Sequence, residues 1–338
     1  MEALGTFIQK LSLPRKIIIT THVKPDADAL GSSLGLSNYL IKKGHEVTVI
    51  SPSDYPNFLT WMKGNEKVLD FSKEAHKKQA LRKLEEAEVI FCLDFSVLNR
   101  VNELGELIRQ SKAYIVNIDH HQDPEDFAQF RLWSTAAAAT CELVYELIVT
   151  LGDKELIDKS IASCLYAGIL TDTGGFRHPN TTKNVHLVVA ELLEAGANAT
   201  EIANLIYDSN SLNRLKFIGF ALTRRLVVRE DLHLAYFAIT KKDLKKYQSQ
   251  TGDTEGLVNY ALSLEGVKMA ALFSEREDGI KISFRSSVDV AVNKFAAAHF
   301  GGGGHKNAAG GKSGLSLKKT LARFEALVQE QQIELFSS

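Results

Sequence analysis

Two hydrophobic patterns divide this chain. In the first half, short β-branched runs alternate with segments of helical period. Residues 16–20, 46–50, 89–93 and 114–118 each read as a strand bounded by polar positions. Residues 29–43 place Leu30, Leu34, Leu40 and Ile41 at helical spacing and stop at Gly44. Residues 74–87 read as a charged surface helix. Helices are also predicted over 136–151, 158–170 and 183–194, the last closed by Gly196. Strands separated by helices and long loops predict an α/β fold with a parallel sheet covered on both faces.

After residue 198 the pattern changes. Residues 199–225 form an amphipathic helical connector, with Leu205, Ile206, Leu212, Leu215 and Ile218 on one broad apolar face. Runs at 226–229 and 232–239 flank Glu230-Asp231, a hairpin signal. Runs at 267–274 and 280–285 flank Glu277-Asp278-Gly279, a second hairpin with Asp-Gly in its turn. Helices are predicted over 290–299 and 317–329. The expected division is a catalytic domain over 1–198, a connector over 199–225 and a smaller α/β domain over 226–338.

Composition narrows the class. At 338 residues the chain is long for one core. Its apolar and charged fractions, 45% and 24%, are those of a soluble globular protein. No apolar run is long enough to span a membrane, and residues 1–10 lack a secretory pattern, so a cytoplasmic location is expected. Cys92, Cys141 and Cys164 sit in apolar contexts and read as reduced, buried side chains. A net charge of -1 excludes a broad basic track for long or duplex nucleic acid. It leaves room for a short nucleotide held by a few groups.

Four acidic stations recur at the ends of apolar elements. His22, Asp26 and Asp28 lie between the first strand and first helix, with Pro25 fixing the backbone before Asp26. In a locally extended segment the two aspartates would splay toward one opening at different depths. Asp28 could instead cap the following helix, which leaves His22 and Asp26 without a task. Asp94 ends the third strand, Asp119-His120-His121 ends the fourth, and Asp172 follows a helical run. A lone strand-end aspartate is ordinarily a turn former. Four carboxylates converging on one sheet rim repel one another unless cations neutralise them.

These motifs occur in a recognisable order. H-x-x-P-D-A-D-A-x-G-S, an isolated strand-end Asp, D-H-H, T-D-T-G and a distal G-G-G-G-H-K-N-A-A-G-G together resemble the DHH phosphoesterase superfamily, across nearly the whole chain. Size and motif spelling resemble its bacterial nano-RNase/pAp phosphatase branch. The resemblance implies an N-terminal DHH domain and a C-terminal DHH-associated, substrate-binding domain. It implies that His22, Asp26 and Asp94 hold one metal ion. Asp28, Asp94, His120 and Asp172 would hold a second, with Asp94 bridging. Asp119 would orient a histidine, and His121 would face the substrate phosphate. The mixed carboxylate and imidazole set suits Mn²⁺ ahead of Mg²⁺. Such a pair, roughly 3.5–4 Å apart, would deliver a hydroxide to phosphorus in line. Arg177 and His178, after T-D-T-G, receive no role.

In the second domain the resemblance assigns substrate binding to Arg285 and His305, with Ser286 assisting. Gly302, Gly303 and Gly304 would let backbone N–H groups approach an anion closely. Lys241, Lys242, Lys245 and Lys246 read as the wet face of a helix. The expected activity is hydrolysis of short oligoribonucleotides to mononucleotides, and of pAp to AMP. A pApA or cyclic-dinucleotide phosphodiesterase is the alternative enzyme. A non-catalytic nucleotide sensor is the alternative of another class, disfavoured because a binder needs no hydroxide-generating metal pair. The expected partner is a short nucleotide, not a membrane, and the reading leaves room for a homodimer.

Overall fold

The computed structural model describes residues 2–287 and 289–331. The chain forms two compact units, divided between Ser209 and Asn210.

The first unit runs α1 (Glu2–Lys10), β1 (Lys16–Thr21), α2 (Ala27–Lys42), β2 (Glu46–Ser51), β3 (Leu69–Asp70), α3 (Glu74–Glu85), β4 (Val89–Leu93), α4 (Glu103–Gln110), β5 (Tyr114–Asp119), β6 (Phe130–Trp133), α5 (Thr140–Thr150), α6 (Lys159–Asp172), α7 (Lys183–Glu194) and α8 (Ala199–Tyr207). The six strands form one parallel sheet in the order β3-β2-β1-β4-β5-β6. Burial explains why these strands are continuous apolar runs: every residue of β4, and all of β1 after Lys16, is buried. One face carries Ile17, Ile19, Phe91, Val116 and Ile118 against α2, α5 and α6. The other carries Ile18, Ile90, Cys92 and Ile115 against α3 and α4. The strand order reverses direction between β1 and β4, so the loops leaving their C-terminal ends diverge and open a crevice.

Side-chain caps start most of the later helices. Asp158, Thr182 and Asn198 accept from the first-turn N–H groups of α6, α7 and α8. Helix α5 begins at Thr140, not at residue 136, and its N-cap position is Ala139, which has no side-chain acceptor. The predicted connector is two helices, α8 in the first unit and α9 (Leu212–Arg224) in the second. Ser211 caps α9 and fixes the break.

The second unit continues β7 (Leu226–Arg229), β8 (Leu234–Ile239), α10 (Lys241–Lys246), α11 (Leu257–Leu262), β9 (Met269–Arg276), β10 (Gly279–Ser286), α12 (Val292–Phe300), β11 (Gly303–His305), β12 (Ala308–Ser313) and α13 (Leu317–Glu330). Its sheet order is β11-β12-β10-β9-β8-β7. The β8–β9 pairing is parallel and the others are antiparallel. Phe273, Phe284, Phe295, Phe300 and Phe324 pack one face, and Phe217, Phe237 and Leu257 the other.

Asp243 holds this unit's α10 in place. Its Oδ2 accepts from Thr240 N at 2.9 Å, Thr240 Oγ1 at 2.8 Å and Arg225 Nε at 2.9 Å, and its Oδ1 from Arg225 Nη2 at 2.8 Å. Burial alone would raise this carboxyl, but the bonds from Arg225 and Thr240 hold it below its ordinary 3.8. A depressed carboxyl contributes stability that is full above the unfolded value and is lost as pH falls through the folded one. Asp243→Ala is therefore expected to cost about 2–3 kcal/mol at neutral pH. Its deficit should shrink as pH drops below the ordinary value, which urea midpoints at neutral and acid pH would record.

All three cysteines are buried and free. Burial pushes their thiols up, Cys164 to about 12. Among the described residues no helix is long and apolar enough to cross a membrane.

Candidate metal centre

The loops after β1, β4 and β5 deliver their polar residues to the crevice between β1 and β4. Asp26, rather than Asp28, caps α2: its Oδ1 accepts from Asp28 N at 3.1 Å and Ala29 N at 3.0 Å. Asp28 lies inside the first turn of α2, so the two side chains diverge through a helix start and not through extended backbone. Asp28 instead crosses to α5, where Oδ2 accepts from Thr140 N at 2.6 Å and Oδ1 from Cys141 N at 2.9 Å. It thereby supplies the cap that Ala139 cannot.

Asp94 occupies the centre. Its backbone is left-handed, φ 65°, an unfavourable conformation for a non-glycine residue that tertiary contacts must hold. His22 Nε2 lies 3.4 Å from Asp94 Oδ2 and 3.8 Å from Asp26 Oδ2. His120 Nε2 lies 3.5 Å from Asp94 Oδ1, 3.7 Å from Asp28 Oδ2 and 3.4 Å from Asp172 Oδ2. Asp172 is the last residue of α6, not a residue beyond it. Thr140 Oγ1 donates to Asp94 Oδ1 at 2.8 Å.

The tautomers follow from the partners. His22 Nδ1 faces Val23 O at 3.0 Å, and His120 Nδ1 faces Ala137 O at 3.3 Å. A carbonyl only accepts, so each Nδ1 carries a proton and each Nε2 is the atom left facing the carboxylate oxygens. Imidazole nitrogens and carboxylate oxygens converging in this way form a donor set that a cation between them would satisfy. Among the described residues of the first unit, three groups have ligand atoms within 4.8 Å of one another: His22, Asp26 and Asp94; Asp28, Asp94 and His120; and Asp94, Asp119 and His121. Asp94 belongs to all three. The donor set thus fits divalent cations bound by oxygen and imidazole.

The electrostatics reflect the crowding. Burial, then the charges of Asp94 and Asp26, raises Asp28 well above its ordinary range. Burial pushes Asp94 the same way, yet the His22 bond and the charges of His121, His22 and His120 outweigh it and hold Asp94 low. Burial also lowers His120. His121 is raised: burial opposes this, but Nδ1 donates to Asp119 Oδ1 at 2.8 Å and Asp94 is nearby. Protons and histidines share out the charge that cations would neutralise.

Close packing fixes Asp28. Gly31 and Gly35 of α2 meet Cys164 and Leu165 of α6, and a Cβ at Gly168 would lie 2.4 Å from Cys141 Sγ and 2.7 Å from Asp28 Oδ1. Gly168→Ala is expected to cost about 1–3 kcal/mol through overpacking. It should also weaken cation binding by shifting Asp28; thermal unfolding with and without Mn²⁺ would reveal both effects.

Arg177 and His178 have local partners. Arg177 Nε donates to Gly174 O at 2.7 Å, and His178 Nδ1 donates to Asp172 O at 3.3 Å while its ring covers Gly174.

The other predicted site residues lie in the second unit. Gly303–His305 is a strand paired with β12, so the glycine run is hairpin backbone rather than an open loop. A Cβ at Gly302 would lie 1.8 Å from Gly310 O, and one at Gly304, φ 140°, would lie 2.5 Å from Ala308 O. These two glycines are required by that close approach. Arg285 pairs with Ala308, which pairs with His305, so Arg285 and His305 share a sheet face. Ser283, Gly310 and Gly303 form the next row on that face. Ser286 is buried, donates to Val290 O at 2.6 Å and accepts from Asn307 Nδ2 at 3.0 Å, so its hydroxyl holds the loop.

The family model described as DHH family, N-terminal domain, matches residues 16–169, and that of the DHHA1 domain matches 233–331. The bifunctional oligoribonuclease and PAP phosphatase NrnA of Thermus thermophilus is 32% identical over 321 residues, covering 93% of this chain and 90% of its own. The protein of the same name from Bacillus subtilis is 29% identical over 330 residues, covering 96% and 98%. The crystal structure of an exopolyphosphatase-related protein from Bacteroides fragilis matches with TM-score 0.91 at 35% identity, covering 98% of this chain and 96% of that one. Both domain models in sequence, and relatedness along nearly the full length, establish that the chain belongs to the DHH family of phosphoesterases.

Proposed function

We propose that this phosphoesterase hydrolyses short oligoribonucleotides to mononucleotides and pAp to AMP in the cytoplasm, using two divalent cations, Mn²⁺ before Mg²⁺. The observation that carries the metal reading is the convergence of His22 Nε2 and His120 Nε2 on opposite oxygens of Asp94. His22, Asp26 and Asp94 would hold one cation, and Asp28, Asp94, His120 and Asp172 the other. Cations held there would supply a lowered pKa for a bound water and a positive charge for the phosphoryl oxygens. Asp119 fixes the His121 tautomer through Nδ1, which leaves Nε2 to face substrate. The raised His121 favours a protonated ring that gives its proton to the leaving oxygen. Thr140 holds Asp94 by its hydroxyl.

On the second unit, Arg285 offers a planar fork and His305 a second polar group on one sheet face. Between and beside them lie Ala308, Gly303 and Gly310, a floor with almost no side chains. This arrangement supports a role in holding a nucleotide phosphate and its base. The substrate choice follows the names of the relatives, which describe an oligoribonuclease and PAP phosphatase. The near-neutral charge of the chain agrees with a short substrate.

The deciding experiment is release of mononucleotide from an RNA dinucleotide, with pAp and pApA as parallel substrates. Rapid Mn²⁺-dependent cleavage of the RNA dinucleotide and of pAp is expected. Cleavage of pApA alone would replace this reading with a dinucleotide phosphodiesterase, and binding without turnover of any of the three would leave a sensor.

A further inference from the structure

Four backbone and side-chain groups on residues 137–141 touch residues of the metal centre, and a fifth is linked to one through Asn180. Ala137 O accepts from His120 Nδ1 at 3.3 Å. Thr140 N and Cys141 N donate to the two oxygens of Asp28, and Thr140 Oγ1 donates to Asp94. Asn180 Nδ2 spans Ala138 O at 3.2 Å and Asp172 O at 3.3 Å. The segment thus sets the mutual positions of His120, Asp28, Asp94 and Asp172, none of which lies near another in sequence.

What anchors the segment is a buried carboxylate. Glu142, 2% exposed, turns back along α5, and its Oε2 accepts from Ala138 N at 2.7 Å. Its Oε1 accepts from Asn184 Nδ2 of α7 at 2.7 Å. A buried carboxylate is costly unless both oxygens are bonded, and here both are. The usual third-position glutamate of a helix reaches the cap residue's own N–H. This one reaches one residue further and grips the backbone that carries the His120 acceptor.

We propose that Glu142 is a positioning residue for the metal centre: by fixing Ala138 it orients the Ala137 carbonyl, and through it the His120 ring, toward Asp28, Asp94 and Asp172. Asn184 locks Glu142 from α7, and Asn180 holds the carbonyl of the same residue, Ala138. The inference rests on the metal reading above, and its failure is separable from that reading.

The test compares wild type with Glu142→Met, which keeps length without the acceptors, and Glu142→Gln, which keeps one. Mn²⁺ stoichiometry and affinity are read by electron paramagnetic resonance of free Mn²⁺, and the His120 ring by ¹⁵N NMR of the metal-free protein. Glu142→Met is expected to weaken one of two Mn²⁺ ions by about 10–100-fold, leave the other within twofold, and shift the His120 Nδ1 resonance. Glu142→Gln should recover most of that loss. A folded Glu142→Met that binds both ions as wild type does would overturn the positioning role. If Glu142→Met does not fold, Asn180→Ala supplies the comparison: selective weakening of the same ion supports the role, and wild-type binding rejects it. A wild type that binds no Mn²⁺ defeats the metal reading itself.

Discussion

Asp94→Ala is expected to lower turnover of a dinucleotide by on the order of 10³-fold or more, and to abolish tight binding of both cations. Asp94 sits where contacts from β1, β5 and α5 converge at the crevice. Asp94 faces His22, His120 and His121 and accepts from Thr140. Its two oxygens point to different histidines, so its loss removes a ligand from each ion. Asp28→Ala should behave differently. It removes one ligand from one ion, so residual activity at saturating Mn²⁺ should exceed that of Asp94→Ala. It also strands Thr140 N and Cys141 N at a buried helix start, at about 1–3 kcal/mol for each group left unsatisfied. Bound metal per chain, kcat and the thermal midpoint together separate the two variants. Equal, full metal occupancy in both would show that Asp94 bridges nothing.

Removal of metal is expected to have the second large effect. Dialysis against a chelator should abolish hydrolysis of RNA dinucleotide and of pAp together, because one site serves both. Mn²⁺ should restore it better than Mg²⁺, since His22 and His120 are borderline ligands. Stability should respond as well. Burial and the charges of Asp94 and Asp26 raise Asp28, while contacts with histidines hold Asp94 low against its burial. Cations that bind the folded form alone add about 2.7 kcal/mol at a hundredfold excess over Kd. The unfolding midpoint should therefore climb with Mn²⁺ concentration, and full activity in chelator would rule out the metal centre.

Much of this was legible in the residues. The four strands of the first half stand where β-branched runs placed them, and the parallel sheet followed from their spacing. His22, Asp26, Asp94 and His120 meet because parallel strands send their exits to one rim, and Asp28 of α2 and Asp172 of α6 join them there. The short strands β3 and β6 were not legible: Leu69-Asp70 is too brief for a period, and Phe130–Trp133 lacks alternation. The start of α5 was misread because Ala136 to Ala139 are good helix formers, while the acceptor that closes the helix sits on Asp28, far away in sequence. For the same reason Thr140, Glu142 and Asn180 were missed. Their tasks are hydrogen bonds to backbone set by tertiary contact, and no spacing in the chain announces them. The hairpin made by the glycine run was not legible either: its composition suits both an open loop and a tight hairpin, and the pairing of Gly303–His305 with β12 shows the hairpin.

The strand order of the two sheets also sets how the chain reaches its fold. In the first unit no two strands can pair until the intervening crossover has been made, and Ile17 must wait for Val89. In the second unit β7 with β8, β9 with β10, and β11 with β12 are hairpins whose partners are adjacent in sequence. Closing long loops before any contact rewards them slows folding. The first unit is thus the slow folder, made first on the ribosome and dependent on distant partners, while the second is built largely from local contacts. Refolding from denaturant should accordingly show the metal centre assembling last, after the sheet that carries Arg285 and His305 has formed.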